Sequence, residues 1–144
     1  MSGKLLLWTD IETTGLDEHR DAILEIGMLV TDWDLHTFDS GFHAVIKPGG
    51  WWWRKRRLSE SVQDMHRANR LLRAVDAGDA VDTMVAIDAM NDYLNPYFAD
   101  RGLLLAGSSV DFDRGFIKRM APELFVWYRL GHRVLDVSVL DEIA

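Results

Sequence analysis

Short continuous apolar runs separated by polar turns dominate the first third of the chain. Leu5 to Trp8 have the length of a buried strand and predict one over residues 4–9. Similar runs predict a second strand over residues 23–33 and a less continuous third strand, nearer a sheet edge, over residues 35–46. Because the connections are short, the three strands are predicted to form an antiparallel meander.

After the third strand the pattern changes to a helical period. Ile87, Met90 and Leu94 recur at intervals of three or four residues, which places them on one helix face toward the core. Strands and helices then alternate, which predicts an α/β sandwich around a mixed sheet. The predicted elements here are helices over residues 59–75, in two pieces, and 80–100, a strand over 103–106, a helix over 111–120, a strand over 134–137 and a helix with Ser138 as its N-cap.

Length and composition exclude several classes of protein. The chain has 144 residues, enough for one domain with one core. It has no apolar run near the ~18 residues of a membrane-spanning helix, and its N-terminus does not have the pattern of a signal peptide. It also has no cysteine, so disulfides and zinc-thiolate sites are excluded. We therefore expect a cytoplasmic protein without a membrane partner.

The charge distribution limits which nucleic acids the chain can bind. A net charge of −7 argues against wide, non-specific binding of long nucleic acid but is compatible with a short substrate. One basic cluster, Arg54 to Arg57, directly follows Trp51, Trp52 and Trp53. The cluster is either a solvated loop or a phosphate-facing one. The tryptophans either lie in a loop that packs one or two rings on the body of the protein and leaves one exposed, or form a base-stacking platform, and the packed loop is the favoured interpretation.

Two carboxylates follow the first buried run. Asp10 and Glu12 are two residues apart, so on extended backbone they point to the same side. Two such groups at a strand end repel each other and lose hydration, and a Mg²⁺ or Mn²⁺ ion bound by oxygen ligands relieves both costs. Alternatively, the pair is solvated and binds nothing. Asp113, in the first turn of a predicted helix, is either a partner of the helix dipole or a third ligand.

Several segments of the chain resemble one nuclease family. Asp10 to Leu16, read as Asp-Ile-Glu-Thr-Thr-Gly-Leu, and Ile23 to Gly27 resemble the first motif region of the DEDD exonucleases. Four later segments narrow the resemblance to the oligoribonuclease branch, in the family's order and at roughly its spacings. These segments are Met65-His66-Arg67-Ala68, Asp113-Arg114-Gly115-Phe116, Pro122-Glu123-Leu124 and Leu135-Asp136-Val137-Ser138.

The resemblance implies a fold and a reaction. The fold is α/β and ribonuclease-H-like: an antiparallel three-strand meander plus parallel strands, flanked by helices. Residues 1–144 would be a single exonuclease domain, C-terminally truncated and without its last helices. The reaction is hydrolysis of a phosphodiester with two Mg²⁺ or Mn²⁺ ions. Asp10 would bridge both ions, Glu12 would hold the ion beside the nucleophile, and Asp113 would approach the other.

The resemblance also implies a substrate and a quaternary structure. The family removes single nucleotides from the 3′ end and leaves 5′ monophosphates, and this branch prefers very short RNA, as a homodimer. Leu16 resembles the residue that wedges against the bases, and His66 resembles a pocket histidine, although by itself it would be a surface residue. Ser109, Arg133 and Ser138 resemble the group that holds the 5′ phosphate, a task that suits the donor fork of arginine.

The sequence departs from the family pattern in several places. Ser61 stands where the family has a base-stacking Trp, Ser108 where it usually has Asn, and His132 where it has a Tyr that reaches the partner subunit. The family's last motif, His-x-Ala-x-x-Asp, supplies the general base and the fourth ligand, and it does not follow Ser138. The chain would then be a fragment, a natural short form that recruits these groups from a neighbouring chain, or a protein that binds without cutting.

Three functions follow from these observations. The favoured one is a 3′-to-5′ exoribonuclease acting on very short RNA. The second is a proofreading-type exonuclease on single-stranded DNA, because the Thr13-Thr14-Gly15 form of the first motif is common in that branch. The third is a non-catalytic nucleotide-binding module, which would bind dinucleotides without turnover.

Overall fold

A mixed sheet forms the centre of the fold, and among the described residues it has six strands in the order β4-β3-β2-β1-β5-β6. The structure is a computed structural model that describes residues 3–58, 63–65, 70–126 and 130–143. β1 and β3 both run antiparallel to β2, β5 runs parallel to β1, and β6 and β4 run parallel to β5 and β3. The predicted meander and mixed sheet are thus confirmed. The strands are β1 (Leu5–Thr13), β2 (Ile23–Thr31), β3 (Phe42–Lys47), β4 (Val81–Asp82), β5 (Leu103–Gly107) and β6 (Val134–Asp136).

Helices cover the two faces of the sheet unequally. Long α3 and α4 carry the apolar side chains that fill the main core, whereas α1 and α2 are short. Within the described part, no helix combines the length and the apolar character needed to cross a bilayer. The helices are α1 (Trp51–Arg56), α2 (Leu71–Asp76), α3 (Thr83–Asp100), α4 (Val110–Met120), α5 (Glu123–Val126) and a 3-10 helix (Val137–Glu142).

The alternation of side chains along β3 separates two apolar clusters. Ala44 and Ile46 pack in the main cluster with α3 and α4, while Val45 packs in a smaller cluster with α1 and α2. Successive strand residues point to opposite faces, so the two clusters lie on opposite sides of the sheet. The smaller cluster consists of Leu24, Trp51, Leu58, Leu71, Leu72 and Val75.

Several predicted boundaries were wrong, because pairing and local hydrogen bonds decided them. β1 continues to Thr13, four residues beyond its predicted end, because Ile11 to Thr13 still pair with β2. β3 begins only at Phe42, since the preceding segment turns at Asp32 and is tied to α3 through Asp39, which accepts hydrogen bonds from the hydroxyls of Tyr93 and Tyr97. The long helix begins at Thr83 because the two residues before it pair with β3 as β4.

The segment of three tryptophans, predicted as a loop, forms the helix α1. Trp51 is buried, in line with the packing interpretation, but both Trp52 and Trp53 are exposed. The helical pieces predicted around His66 are described only in part: residues 63–65 are helical, α2 begins at Leu71, and His66 lies outside the described residues. The prediction of Ser138 as an N-cap was wrong, because Asp136 caps that segment, which is a 3-10 helix.

Candidate active site

Asp10 and Glu12 lie side by side near the carboxyl end of β1. They alternate with Ile11, whose side chain is buried in the main core, so both acidic side chains point to the opposite face of the sheet. Asp10 is exposed and Glu12 is half-buried. The β2 residue opposite Asp10 is Gly27, which leaves open space on one flank of the Asp10 side chain. The two acidic side chains thus lie on one face of the strand, as their spacing in the sequence predicted.

Asp113 approaches this strand end from the neighbouring strand. β5 runs parallel to β1 and ends at Gly107, and α4 begins three residues later. Asp113, in the first turn of α4, is 5% exposed, and its Oδ2 accepts a hydrogen bond of 3.4 Å from the hydroxyl of Thr9. A Cβ at Gly107 would lie 3.0 Å from the backbone oxygen of Thr9, so a glycine here permits the close approach of the two strands. The buried carboxyl is therefore held beside the residue that precedes Asp10.

The electrostatics connect Asp113 to Asp10. Burial and, after it, the negative charge of Asp10 raise the pKa of Asp113 to about 7, while the hydrogen bond from Thr9 acts in the opposite direction. The charges of the two carboxyls therefore interact. The charge of Asp136 contributes in the same sense but less strongly. A perturbed carboxyl beside a second one is typical of a functional site.

The donor set of this cluster fits Mg²⁺ or Mn²⁺. All three groups are carboxylates, the ligands that hard divalent cations prefer, and a bound cation would compensate the cost that raises the pKa of Asp113. The oxygens of Asp10, Glu12 and Asp113 do not all lie within 4.8 Å of one another. A cation would therefore have to draw them together or be held partly through water, as Mg²⁺ commonly is.

A second group of potential ligands lies elsewhere and has a structural explanation. Asp32, Asp34 and His36 bring their ligand atoms within 4.8 Å of one another. However, Asp32 Oδ1 accepts hydrogen bonds from the backbone N–H groups of Asp34 (2.8 Å) and His36 (2.9 Å), and its Oδ2 lies 3.0 Å from His36 Nδ1. These bonds close the turn after β2, and they also lower the pKa of Asp32.

Asp136 joins two of the predicted substrate residues. Its carboxylate accepts hydrogen bonds from the backbone N–H groups of Ser109 (3.0 Å) and Val110 (3.3 Å), where α4 begins. It also accepts from the backbone N–H (3.0 Å) and the hydroxyl (2.6 Å) of Ser138. These bonds lower the pKa of Asp136, led by the hydroxyl of Ser138. Ser109 and Ser138 are thus brought together, although the hydroxyl of Ser138 is engaged within the protein.

The other predicted substrate residues are more widely placed. Leu16, 84% exposed, lies in the loop between β1 and β2, the position expected of a residue that contacts a ligand rather than the core. Arg133 is exposed and immediately precedes β6, close in sequence to Asp136. His66 lies outside the described residues. The structure therefore groups Ser109, Ser138 and the segment of Arg133 at one edge, with Leu16 on a separate loop.

Sequence reasoning missed three groups around the carboxylates. The sequence predicts Thr9 only as a strand residue and Asp136 only as part of a motif, although Asp is a frequent N-cap residue. The third is a pair on the same sheet face as Glu12. Glu25 stands opposite Glu12 on β2, and its Oε2 lies 2.9 Å from Nε2 of His43 on β3. Glu25 and His43 are 18 residues apart in the sequence, and no local pattern connects them. Only the pairing of β2 with β3 brings the two side chains together.

Comparison with known proteins gives matches over nearly the whole chain. The family profile described as "RNase_T: Exonuclease" matches residues 7–126. The chain is 33% identical over 141 residues to the oligoribonuclease of Cutibacterium acnes, which covers 97% of this chain and 67% of that protein. It is 35% identical over 139 residues to the oligoribonuclease of Mycolicibacterium paratuberculosis, which covers 96% of this chain and 62% of the relative.

Solved structures with the same fold belong to much longer chains. Escherichia coli exonuclease I in complex with a 5cy-dA13 oligonucleotide superimposes with a TM-score of 0.68 at 14% identity, over 97% of this chain and 29% of that one. Exonuclease I from Methylocaldum szegediense gives a TM-score of 0.61 at 17% identity, over 97% of this chain and 29% of that one. This likeness confirms the ribonuclease-H-like fold. The chain spans about two thirds of the length of the similar oligoribonucleases and less than a third of these exonuclease chains.

Proposed function

Because the chain belongs to the RNase_T exonuclease family, we propose that it removes mononucleotides from the 3′ end of very short single-stranded RNA. The observation that carries this proposal is the buried carboxyl of Asp113, whose pKa the charge of Asp10 helps to raise at the end of β1. Asp113 lies more than 100 residues along the chain from Asp10 and Glu12, and its hydrogen bond from Thr9 holds it beside the strand that carries them. Carboxylates near one another repel and destabilise the folded state unless a bound cation neutralises part of their charge.

Each carboxylate has a position that suits a separate task. Asp10 is exposed, so both of its oxygens can face ligands, as a bridging group requires. Glu12 lies two residues further along the same strand face and extends the site in the strand direction. Asp113 is fixed by burial and by Thr9, so its oxygen is oriented in advance. Two divalent cations bound here would lower the pKa of a water molecule and neutralise charge on the leaving oxygen.

The substrate would lie across the edge formed by the ends of β1, β5 and β6. Leu16 would contact the bases, and Ser109, Arg133 and Ser138 would contact the 5′ phosphate, with Asp136 fixing the two serine-bearing segments relative to each other. His66 is proposed as a further substrate contact on the strength of its motif. These contacts would hold the two nucleotides on either side of the scissile bond. As in the resembled branch, we propose that the chain acts as a homodimer.

The general base is the part of the mechanism that these residues do not supply. Asp10, Glu12 and Asp113 would all be engaged as ligands, so a general base and a fourth ligand would be other groups. A second candidate function is a nucleotide-binding module that does not cut, because the oxygens of the three carboxylates do not all lie within 4.8 Å of one another. The two candidates make opposite predictions for turnover but the same prediction for dinucleotide affinity.

The test is hydrolysis of a 5′-labelled RNA dinucleotide by the purified chain in Mn²⁺, with chelator and Asp10→Ala as controls. The proposal expects labelled mononucleotide that disappears with either control. Competition with a short single-stranded DNA would show the preferred substrate. Folded protein that binds the dinucleotide without any turnover, at high enzyme concentration, would favour the non-catalytic candidate.

A further inference from the structure

The helix α1 presents an aromatic and basic surface that the proposed active site does not use. Trp51, 6% exposed, anchors the helix in the smaller apolar cluster, and its indole N–H donates to Oδ1 of Asp76 at 3.0 Å. Lys55 forms an ion pair with the other oxygen of Asp76. The opposite side of α1 is thereby held in a fixed orientation. We call that side, formed by Trp52, Trp53, Arg54, Arg56 and Arg57, the α1 surface.

Two tryptophan rings on this surface are exposed to solvent. Trp52 is 56% exposed and Trp53 is 63% exposed, and their rings meet edge to face with centroids 4.9 Å apart. The guanidinium of Arg56 lies 4.0 Å from the centroid of the Trp52 ring, which holds that ring in place. Paired large aromatic side chains left in water are unusual for a surface without a partner, and their flat faces suit stacking.

The arginines of the α1 surface keep their positive charge available. Arg54 donates to two neutral groups, the backbone oxygens of Gly49 (3.0 Å) and Arg20 (2.7 Å). Neither bond neutralises the guanidinium. Arg57 is exposed, and Arg56 faces an aromatic ring rather than a carboxylate. In a chain of net charge −7, this is a local concentration of positive charge.

A cavity of about 280 Å³ lies between this surface and the loop that follows β1. Its lining includes Arg20, Trp53, Arg54 and Arg57. Among the described lining residues the carboxylate is that of Asp21, which is occupied within the loop, where it accepts hydrogen bonds of 3.0 Å from the Thr14 hydroxyl and from the backbone N–H of Asp17. The cavity thus combines arginines with one flat ring, and the same loop carries Leu16.

We propose that the α1 surface binds nucleotides of single-stranded RNA beyond the two that the candidate active site would hold. A phosphate would lie among Arg20, Arg54 and Arg57, and a base would stack on Trp53. Phosphate needs arginine donors and a base needs an aromatic face, and this combination is typical of single-strand binding sites. A flat anionic membrane would not enter the cavity, and an acidic peptide offers no base to stack. The inference rests on the proposed function for its choice of RNA.

The experiment measures affinity rather than hydrolysis, so that its outcome is independent of turnover. RNA oligonucleotides of two and six nucleotides are titrated against the chain in chelator, and quenching of tryptophan fluorescence reports stacking. Trp53→Ala is expected to weaken hexanucleotide binding roughly fivefold to a hundredfold, the range found when a stacked ring is removed. Its dinucleotide affinity is expected to stay within about twofold, because the active site supplies that binding.

Two further variants make the result specific. Arg57→Ala should weaken hexanucleotide binding and lower the salt dependence of that binding by about one released ion. Trp33→Ala removes an exposed tryptophan of the turn after β2, whose indole N–H donates to the backbone oxygen of Lys4, and should leave the hexanucleotide affinity as it is. Equal affinity of wild type and Trp53→Ala for the hexanucleotide would overturn the inference. So would binding of poly-glutamate or of phosphatidylserine vesicles that matches RNA binding and is lost in Trp53→Ala.

Discussion

At the scale of single residues, Asp113 shows how strongly position changes a side chain. Asp111 and Asp113 both lie in the first turn of α4, but Asp111 is exposed and Asp113 is buried. Burial and the charge of Asp10 raise the pKa of Asp113 to about 7, whereas an unfolded Asp titrates near ~3.9. In the absence of a cation, the folded chain therefore prefers this carboxyl protonated.

The free energy of unfolding of the metal-free chain should therefore depend on pH. The contribution of Asp113 to the free energy of unfolding is fully present below about pH 4 and is lost as the pH rises through 7. Over this range the unfolded chain releases the proton of Asp113 while the folded chain still holds it. Asp113→Asn cannot lose a proton, so at pH 8 we expect its free energy of unfolding to exceed that of wild type by roughly 2–4 kcal/mol. The gain should shrink by more than half at pH 5. Urea unfolding in chelator at both pH values measures it.

The neighbouring exposed residue gives the control for this prediction. Asp111→Asn changes the same helix turn by the same chemistry without touching a buried group. It should shift stability only slightly and by a similar amount at both pH values. If Asp113→Asn and wild type lose stability in parallel between pH 5 and pH 8, the buried carboxyl does not titrate as described.

At the scale of elements, one carboxylate connects three of them. Asp136 ends β6, caps the 3-10 helix through Ser138 and accepts the N–H groups of Ser109 and Val110 at the start of α4. Ser109 has a left-handed backbone conformation, φ 54°, which an L residue adopts only when its surroundings hold it there. The hydrogen bond from its N–H to Asp136 is part of that support.

Removing this carboxylate should loosen both helix starts. In Asp136→Ala, amide hydrogen exchange at Ser109, Val110 and Ser138 should accelerate by about tenfold or more, because these amides lose their acceptor and open locally. Ser138→Ala removes one hydroxyl donor but leaves the three backbone bonds, so it should leave exchange at Ser109 and Val110 nearly unchanged. Exchange followed by mass spectrometry or NMR distinguishes the two. Unaltered protection in Asp136→Ala would show that α4 begins correctly without the cap.

At the scale of the whole molecule, the chain has a net charge of −7, and folding places several of its carboxylates near one another. At the candidate active site, Asp10 and Glu12 come from β1 and Asp113 from α4, and Glu12 also stands opposite Glu25. Folding therefore brings together like charges that the unfolded chain keeps apart. A bound divalent cation would stabilise the folded state, because the unfolded chain has no such site.

We therefore expect Mn²⁺ to stabilise the chain through this site. At a concentration about a hundred times its Kd, the free energy of unfolding should rise by about 2.7 kcal/mol. Asp10→Ala should abolish the increase. Asp34→Ala disrupts the group of close ligand atoms that Asp34 forms with Asp32 and His36, and this variant should retain the increase. Thermal unfolding with and without Mn²⁺ measures all three proteins, and equal stabilisation of Asp10→Ala and wild type would place the cation elsewhere.

Much of the fold followed from local patterns, and the exceptions have a common cause. The three early strands, the core face of α3 and the strand that precedes α4 were predicted, because apolar periodicity acts over a few neighbours. β4 was missed because Val81 and Asp82 become a strand only by pairing with Ile46 and Lys47. The predicted cap at Ser138 was wrong because Asp136, two residues earlier, offers a stronger acceptor.

The sequence by itself determined that Asp10 and Glu12 share a face, because a strand alternates its side chains whatever surrounds it. It also determined the antiparallel meander of the first three strands and, through its motifs, the family. Only the tertiary structure decided that Asp113 is buried beside Thr9, that Asp136 holds two helix starts together, and that Trp51 faces inward while Trp53 borders a cavity with three arginines. These features depend on contacts between residues far apart in the chain, and such contacts leave no local pattern to detect.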